Sequence, residues 1–315
     1  MKAMTRDRYG PPEVLAMRDI DRPVPGDRDV LIRVRAASLN RSDWEGLVGK
    51  PLYARIGGMS PILGTDVAGV VEEVGGQVER FGPGDEVYGD IMYHGGKAFA
   101  EYVRVPESAP LVIKPPGLSF VEASTLPQAG VIAVQGMARR VERGNRVLIN
   151  GAGGGTGAFA IQMAKNAGAE VTAVDNGHKQ QFMLSLGADH VIDYETTDYT
   201  RSGSYDLILD LVCHRSMFSI RRAVAPGGRY SVVGGSVPAL LSAATLARML
   251  ATEGRKMGVL MVRPNRDDLI TIAHQVVAGS LRTSVERTYP LEELAAALES
   301  VGENRVLGKV VVELP

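Results

Sequence analysis

Five glycines fall within seven positions at Gly151-Ala-Gly-Gly-Gly-Thr-Gly157, between the β-branched run Arg146-Val-Leu-Ile-Asn150 and a stretch of helical composition, Ala158-Phe-Ala-Ile-Gln-Met-Ala-Lys165. The chemistry open to such a segment is anion binding. A chain that turns tightly between a strand and a helix can bring a phosphate against its backbone and point the free N–H groups of the helix start at it. The pattern reads Ala152-x-Gly154-x-x-Gly157, with alanine at the first of the three glycine places of a dinucleotide fingerprint. Ala152, Gly153, Gly154, Gly155, Thr156 and Gly157 are therefore the candidate pyrophosphate cradle.

An acidic residue is expected about 20 positions further on, at a strand end, to bind a ribose. Asp175 lies 18 residues past Gly157, at the end of Glu170-Val-Thr-Ala-Val174. Its carboxylate argues for NADH, because it repels a 2′-phosphate. Lys179 in the next turn and Tyr194 at the next strand end argue for NADPH, because both can hold that phosphate. Lys179 also reads as a solvated lysine at a helix start, and the sequence leaves the choice of cofactor open.

The other reactive residue types are scattered. A catalytic zinc wants three His, Cys, Asp or Glu ligands and an open position. His94, His178, His190, His214 and His274 show no H-x-x-x-H spacing, and the single cysteine, Cys213, allows neither C-x-x-C nor a disulfide. No metal site is expected. A G-x-S-x-G nucleophile elbow is absent. Cys213 follows an apolar strand and reads as a core or rim residue. Asn40 and Asp43 follow a strand exit, where a functional loop and a simple Asx turn are both open readings.

The elements that must position these residues fall into two kinds. Up to about Leu118 the chain reads as short strands with Gly/Pro turns: 30–40, then a looser segment over 41–53, then 64–75, 81–89, 99–106 and 111–116. That pattern suggests a partly closed β-structure. Ser119 with Glu122 forms a capping box opening a helix, and a second helix is expected over 130–139. From Arg146 strands and helices alternate: strand 170–174, helix 179–186, strands 190–194 and 205–212, helix 217–225, strand 229–233. Alternation with short connections predicts an α/β doubly wound parallel sheet. Helices are expected over 267–278 and 292–299, and the strand 309–314 ends the chain in a tail that can rejoin the β-rich part.

With 315 residues, a net charge of −1 and 45% hydrophobic content, the chain suits two globular domains and carries no basic footprint for nucleic acid. No apolar run nears the roughly 18 residues of a membrane span, and the first residues lack the apolar core of a signal peptide. A cytoplasmic protein is expected.

Several ordered motifs resemble the medium-chain dehydrogenase/reductase superfamily, in its zinc-free quinone oxidoreductase-like branch. They are Leu39-Asn-Arg-Ser-Asp43, Gly64-Thr-Asp-Val-Ala-Gly-Val-Val-Glu-Glu-Val-Gly75, Phe81-Gly-Pro-Gly-Asp-Glu-Val-Tyr-Gly89, Ala98-Phe-Ala-Glu-Tyr-Val103, the glycine loop, Leu186-Gly-Ala-Asp-His-Val-Ile-Asp-Tyr194 and Gly308-Lys-Val-Val-Val312. Zinc-dependent relatives carry a cysteine before the Ser-Asp of the first motif and Gly-His-Glu at the start of the second; here Asn40-Arg-Ser-Asp43 and Gly64-Thr65-Asp66 stand there. The resemblance implies a GroES-like catalytic domain (1–118 and 266–315) and a Rossmann domain (119–265). It also implies a cofactor surface extending to Val212 and Gly234, and a nicotinamide near Asn40.

Under that resemblance the expected activity is zinc-independent hydride transfer from NADPH or NADH to a small apolar activated alkene or quinone. Asn40, Asp43 and Tyr53 are the catalytic candidates, and solvent, Tyr53 or His94 the candidate proton sources. Residues 258–262 can pair as an edge strand across a homodimer, as relatives' strands do. Three departures stand against the family pattern: Glu45 where a tyrosine is frequent, Ile132 for a threonine, and Val212-Cys213-His214 for a glycine pair. They motivate a second reading, a cofactor-binding protein without redox turnover. An alcohol dehydrogenase is a third.

Overall fold

The computed structural model describes residues 1–137 and 140–315, which form two compact units. The first comprises Met1–Val131, Pro264–Gly279 and Thr283–Pro315; the second comprises Ile132–Arg263 and Ser280–Arg282. Residues 119–131, grouped above with the Rossmann segment, pack in the first unit.

The second unit is built on a six-stranded sheet, all of it parallel. Across the sheet the strands run His190–Asp193, Glu170–Asp175, Arg146–Asn150, Tyr205–Asp210, Val224–Val232, Lys256–Val259. Numbered from Arg146–Asn150, this is the order 3-2-1-4-5-6 of a dinucleotide-binding sheet. Val147 to Ile149 and Leu207 to Leu209 are buried without alternation, as strands covered on both faces must be.

Three expectations change here. The helix from Met217 ends at Ala223, and the next strand starts at Val224 and takes in Pro226-Gly227-Gly228. Its pairing with Tyr205–Asp210 is interrupted between Tyr205 and Leu207. The proline passes through that irregularity, where no ladder N–H is required of it. Lys179 ends a short 3-10 turn, Gly177–Lys179, ahead of the helix Gln180–Ser185. Val237–Leu250 is a helix that the sequence did not announce, because the exposed Leu241 and Met249 blur the face that buries Ala243 and Ala247.

The first unit is organised by the strand Asp29–Ser38. One of its edges pairs with Asp66–Val74; the other pairs with Tyr102–Pro106 near its start and with Lys309–Glu313 near its end. The sheet continues through Glu86–Asp90 to Leu111–Ile113 on one side and through Val285–Pro290 on the other. Residues 41–48, read above as loose, form the helix Arg41–Val48. Gly49 stops it with φ +65°, a conformation that favours glycine. The Ser119 capping box forms as read: the Ser119 hydroxyl accepts from the Glu122 N–H at 3.1 Å, and the Glu122 carboxylate accepts from the Ser119 N–H at 2.9 Å. The helix expected over 130–139 is Pro127–Met137; Ala138 and Arg139 lie outside the described residues. Among the described residues, no helix is long and apolar enough to cross a membrane.

Candidate functional site

In the second unit the glycine loop leads from Asn150 into the helix Gly155–Asn166, capped by Gly154. The loop is pinned to the neighbouring strand, since the N–H groups of Gly151 and Ala152 both donate to the Val174 carbonyl at 2.9 and 3.1 Å. The first helical bond at this end is donated by Ala158 to Gly154 at 2.8 Å. The N–H groups of Gly155, Thr156 and Gly157 precede it and carry the positive end of the helix dipole. A side chain at Gly157 would put its Cβ 2.4 Å from the Ala152 Cα. The helix therefore lies directly on the loop backbone, and the buried Ala152 leaves room for nothing larger. This cradle fits a pyrophosphate: backbone donors converge and side chains are excluded.

Asp175 and Lys179 sit under the loop. The Asp175 Oδ2 accepts from the Gly153 N–H at 2.9 Å, and its Oδ1 accepts from the Asn176 N–H at 2.9 Å. Lys179 Nζ lies 3.6 Å from Asp175 Oδ1, with both side chains almost wholly buried. A Cβ at Gly153 would meet the Lys179 Cδ at 2.4 Å, so glycine is needed here for the lysine to pass. Asp175 thus holds the loop and shares its charge with Lys179. Tyr194 is half-buried and lies against the His214 ring at a centroid distance of 5.5 Å, and the Arg215 guanidinium donates to its carbonyl.

Asn150 and Asp210 are paired across adjacent strand ends, at the point where the strand order reverses and such sheets take their ligands. Asn150 Nδ2 donates to Asp210 Oδ1 at 2.8 Å, and the Tyr230 hydroxyl donates to Asp210 Oδ2 at 3.0 Å. The N–H groups of Val212 and Cys213 also donate to Oδ1, at 3.0 and 2.8 Å. Asp210 thereby fixes the Val212-Cys213-His214 turn, in which Cys213 has φ +52°. Burial pushes the Cys213 thiol up, which makes it a poor nucleophile. Val212 is exposed at the rim, and Gly234 lies beside the Leu211 carbonyl, 2.8 Å from where its Cβ would be.

In the first unit, strand register assembles a buried polar cluster. Val311 pairs with Ser38, which sets Lys309 opposite Asn40; Asp66 pairs with Asp90, and Ser38 reaches Asp66. Lys309 Nζ donates to the Leu39 carbonyl at 2.7 Å and to Asn40 Oδ1 at 2.5 Å, and stands 3.6 Å from Asp66 Oδ2. Asn40 Nδ2 donates to Asp66 Oδ2 at 2.9 Å and to the Thr65 hydroxyl oxygen at 3.3 Å. The amide can face only one way, because an ammonium has no lone pair and a carboxylate has no proton to give. Burial pushes Lys309 down and Asp66 up, and the opposite charges facing each other resist both shifts.

Asp43 belongs to the same cluster. Its Oδ2 accepts from the Asn40 N–H at 2.8 Å, which opens the helix Arg41–Val48, and its Oδ1 is a buried atom with no hydrogen-bond partner. Burial pushes its carboxyl up to about 7. Burial, then the neighbouring Asp66, also push Asp90 up. Tyr53 has a different partner: its hydroxyl donates to Glu45 Oε2 at 3.3 Å, and burial raises it to about 12. His94 lines a cavity of about 450 Å³ with Tyr93, Ser108 and residues 264–267.

Thr65 and Asp66 stood out in the sequence only as replacements in a zinc motif, and Asp90, Asp210, Tyr230 and Lys309 carried no assigned role. A lysine inside the apolar run Gly308-Lys-Val-Val-Val312 was the available signal for the last. Among the described residues, no group of three or more His, Cys, Asp or Glu side chains is placed to hold a metal ion.

Comparison with known proteins agrees with both units. An alcohol dehydrogenase GroES-like domain model matches residues 26–116, and a zinc-binding dehydrogenase model matches residues 186–312. The chloroplastic quinone oxidoreductase QR1 of Triphysaria versicolor is 30% identical over 99% of this chain and 98% of its own length. The chloroplastic NADPH-dependent alkenal/one oxidoreductase of Arabidopsis thaliana is 32% identical over 99% of this chain and 79% of its own. The solved structure of the quinone oxidoreductase from Coxiella burnetii superposes with a TM-score of 0.91 at 30% identity, covering 100% of this chain and 99% of that one. The chain belongs to the medium-chain dehydrogenase/reductase superfamily, in its quinone oxidoreductase-like branch. Its two parts are accordingly a GroES-like domain and a Rossmann domain.

Proposed function

We propose that the chain is an NAD(P)H-dependent reductase of small apolar quinones or enones that works without zinc. The observation that carries the reading is the glycine loop: a cradle of backbone N–H groups on a helix N-terminus in a 3-2-1-4-5-6 sheet, in a chain whose relatives are named quinone and alkenal/one oxidoreductases. The N–H groups of Gly155, Thr156 and Gly157 would hold the pyrophosphate, and a nicotinamide cofactor bound there supplies a hydride.

NADPH is the better fit. The Asp175 carboxylate is engaged by two backbone N–H groups and faced by the Lys179 ammonium, so its repulsion of a 2′-phosphate is weakened. Lys179 offsets the Asp175 charge from beneath the loop, and Tyr194 and Arg215 can receive the phosphate. Zinc independence is supported by side-chain chemistry: Asn40 and Thr65 stand where zinc-dependent relatives carry cysteine and histidine, and the Asn40 carbonyl is already taken by the Lys309 ammonium. Quinones and enones delocalise incoming charge and need less electrophilic help than a plain ketone. Asn40, Asp43 and Tyr53 remain the proposed catalytic group, and residues 258–262, of which the edge strand Lys256–Val259 takes in only the first two, the proposed homodimer contact.

The test is cofactor oxidation by the purified protein with NADPH and NADH over a panel of quinones, enones and enoyl thioesters. Turnover that survives a chelator, with NADPH preferred, supports the reading. Tight cofactor binding without deuteride transfer to any acceptor would instead support a binding protein that has lost turnover.

A further inference from the structure

We propose that Thr65 is the hydrogen-bond donor that receives the negative charge developing on the acceptor's oxygen, with Asn40 and Lys309 positioning and polarising its hydroxyl. The inference rests on the reductase reading above.

A hydroxyl carries one proton and two lone pairs. One lone pair of Thr65 accepts from Asn40 Nδ2 at 3.3 Å. Among the described residues no acceptor takes the Thr65 proton. The side chain is half-exposed, while every other member of the chain of bonds is buried. Its backbone is fixed, because the Thr65 carbonyl accepts from the Ile91 N–H at 2.8 Å. The direction of the bonds is uniform: Lys309 donates to the Asn40 carbonyl, and the Asn40 amide donates to Thr65. Each donation makes the next proton more acidic, so a row of bonds fed by an ammonium strengthens its last donor. Asp66 fixes the amide plane from the other side by accepting from the same nitrogen at 2.9 Å.

Charge appears where such a donor is useful. When a hydride adds to the β-carbon of an enone, a C–H bond forms and the C=C π pair moves to give an enolate. The carbonyl oxygen then holds the negative charge until the α-carbon takes a proton from water. Thr65 keeps its own proton throughout and acts only by donating a hydrogen bond. A donor aimed at a developing oxyanion lowers the barrier without being consumed.

Thr65→Val keeps the shape and removes the donor, while Thr65→Ser restores it. Turnover with an enone is expected to fall about 10²-fold in kcat for the valine variant, the scale for one lost oxyanion donor, with the cofactor KM unchanged and the serine variant close to the parent. Binding of substituted phenolates gives a readout independent of turnover. The parent should bind the series more tightly as the phenolate becomes more basic, and this dependence should flatten in Thr65→Val and in Asn40→Leu. A parent that reduces no acceptor would sink the reductase reading, and the phenolate series would still decide the role of Thr65. A flat dependence in the parent, or an undiminished one in Thr65→Val, overturns the proposal, as does an active parent matched in kcat by the valine variant.

Discussion

Gly157 and Ala152 touch so closely that a single added methyl group would sit 2.4 Å from the Ala152 Cα and 2.5 Å from its carbonyl atoms. Neither side can give way, because both are backbone. Gly157→Ala is expected to push the helix off the loop, at a cost of about 1–3 kcal/mol. Cofactor affinity should fall at least tenfold in a fluorescence titration, with the sheet's far-UV dichroism retained.

Lys179→Met removes the ammonium facing the buried Asp175 and leaves that carboxylate to two backbone donors. Breaking a buried pair from one side costs about 3 kcal/mol where no water can enter. The variant should unfold at lower denaturant. Its ratio of NADPH to NADH efficiency should fall as well, because the remaining charge repels a 2′-phosphate. Equal loss with both cofactors would sink the assignment of Lys179 to phosphate selection.

The Asp43 and Asp90 carboxyls predict a pH dependence of stability. Asp43 is pushed up to about 7 by burial, against the hydrogen bond from Asn40, and Asp90 is raised by burial and by Asp66. A carboxyl that keeps its proton to higher pH in the folded chain binds more protons folded than unfolded between about pH 4 and 7. The stability it contributes is therefore complete below about pH 4 and is lost as pH rises towards 7, by at most about 1.4 kcal/mol per group per unit. Chemical unfolding should show a lower free energy at about pH 7.5 than at about pH 5.5. Asp90→Asn should flatten that difference.

Arg6 caps the helix that Asn40 begins. Its guanidinium is buried and donates to the carbonyls of Gly46, Leu47 and Ser60. Arg6→Met leaves the Gly46 carbonyl without its donor in a dry setting, at about 1–3 kcal/mol, while the Leu47 carbonyl keeps the Gly10 N–H. Hydrogen exchange should quicken over residues 41–49 first.

The glycine loop was legible because strand, turn and helix follow one another along the chain, and the parallel doubly wound sheet followed from regular alternation. The role of Asp175 was half-legible: its spacing placed it beside the loop, but its bond to the Gly153 N–H depends on how far the loop descends. The helix Arg41–Val48 was missed because its start is marked by the Asn40 and Asp43 hydrogen bond, while Trp44, Glu45 and Gly46 give it no clear apolar face. Lys309 stood out only as a lysine in an apolar run, and nothing local marked its partner. Only the antiparallel register of Ser38 with Val311 brings the lysine to Asn40.

That contact joins residues 269 positions apart. Residues 132–263 are contiguous, so nearly all of the second unit leaves the ribosome while the first still lacks Lys309–Glu313, the strand that closes on Ser38. During synthesis the residues around Asn40 are made before the second unit and gain the Lys309 contact after it. Nascent chains shorter than about 309 residues hold Asp66 buried without its ammonium, or leave that corner open to water. The polar cluster proposed for reduction therefore waits for Lys309, which is made well after the residues of the glycine loop.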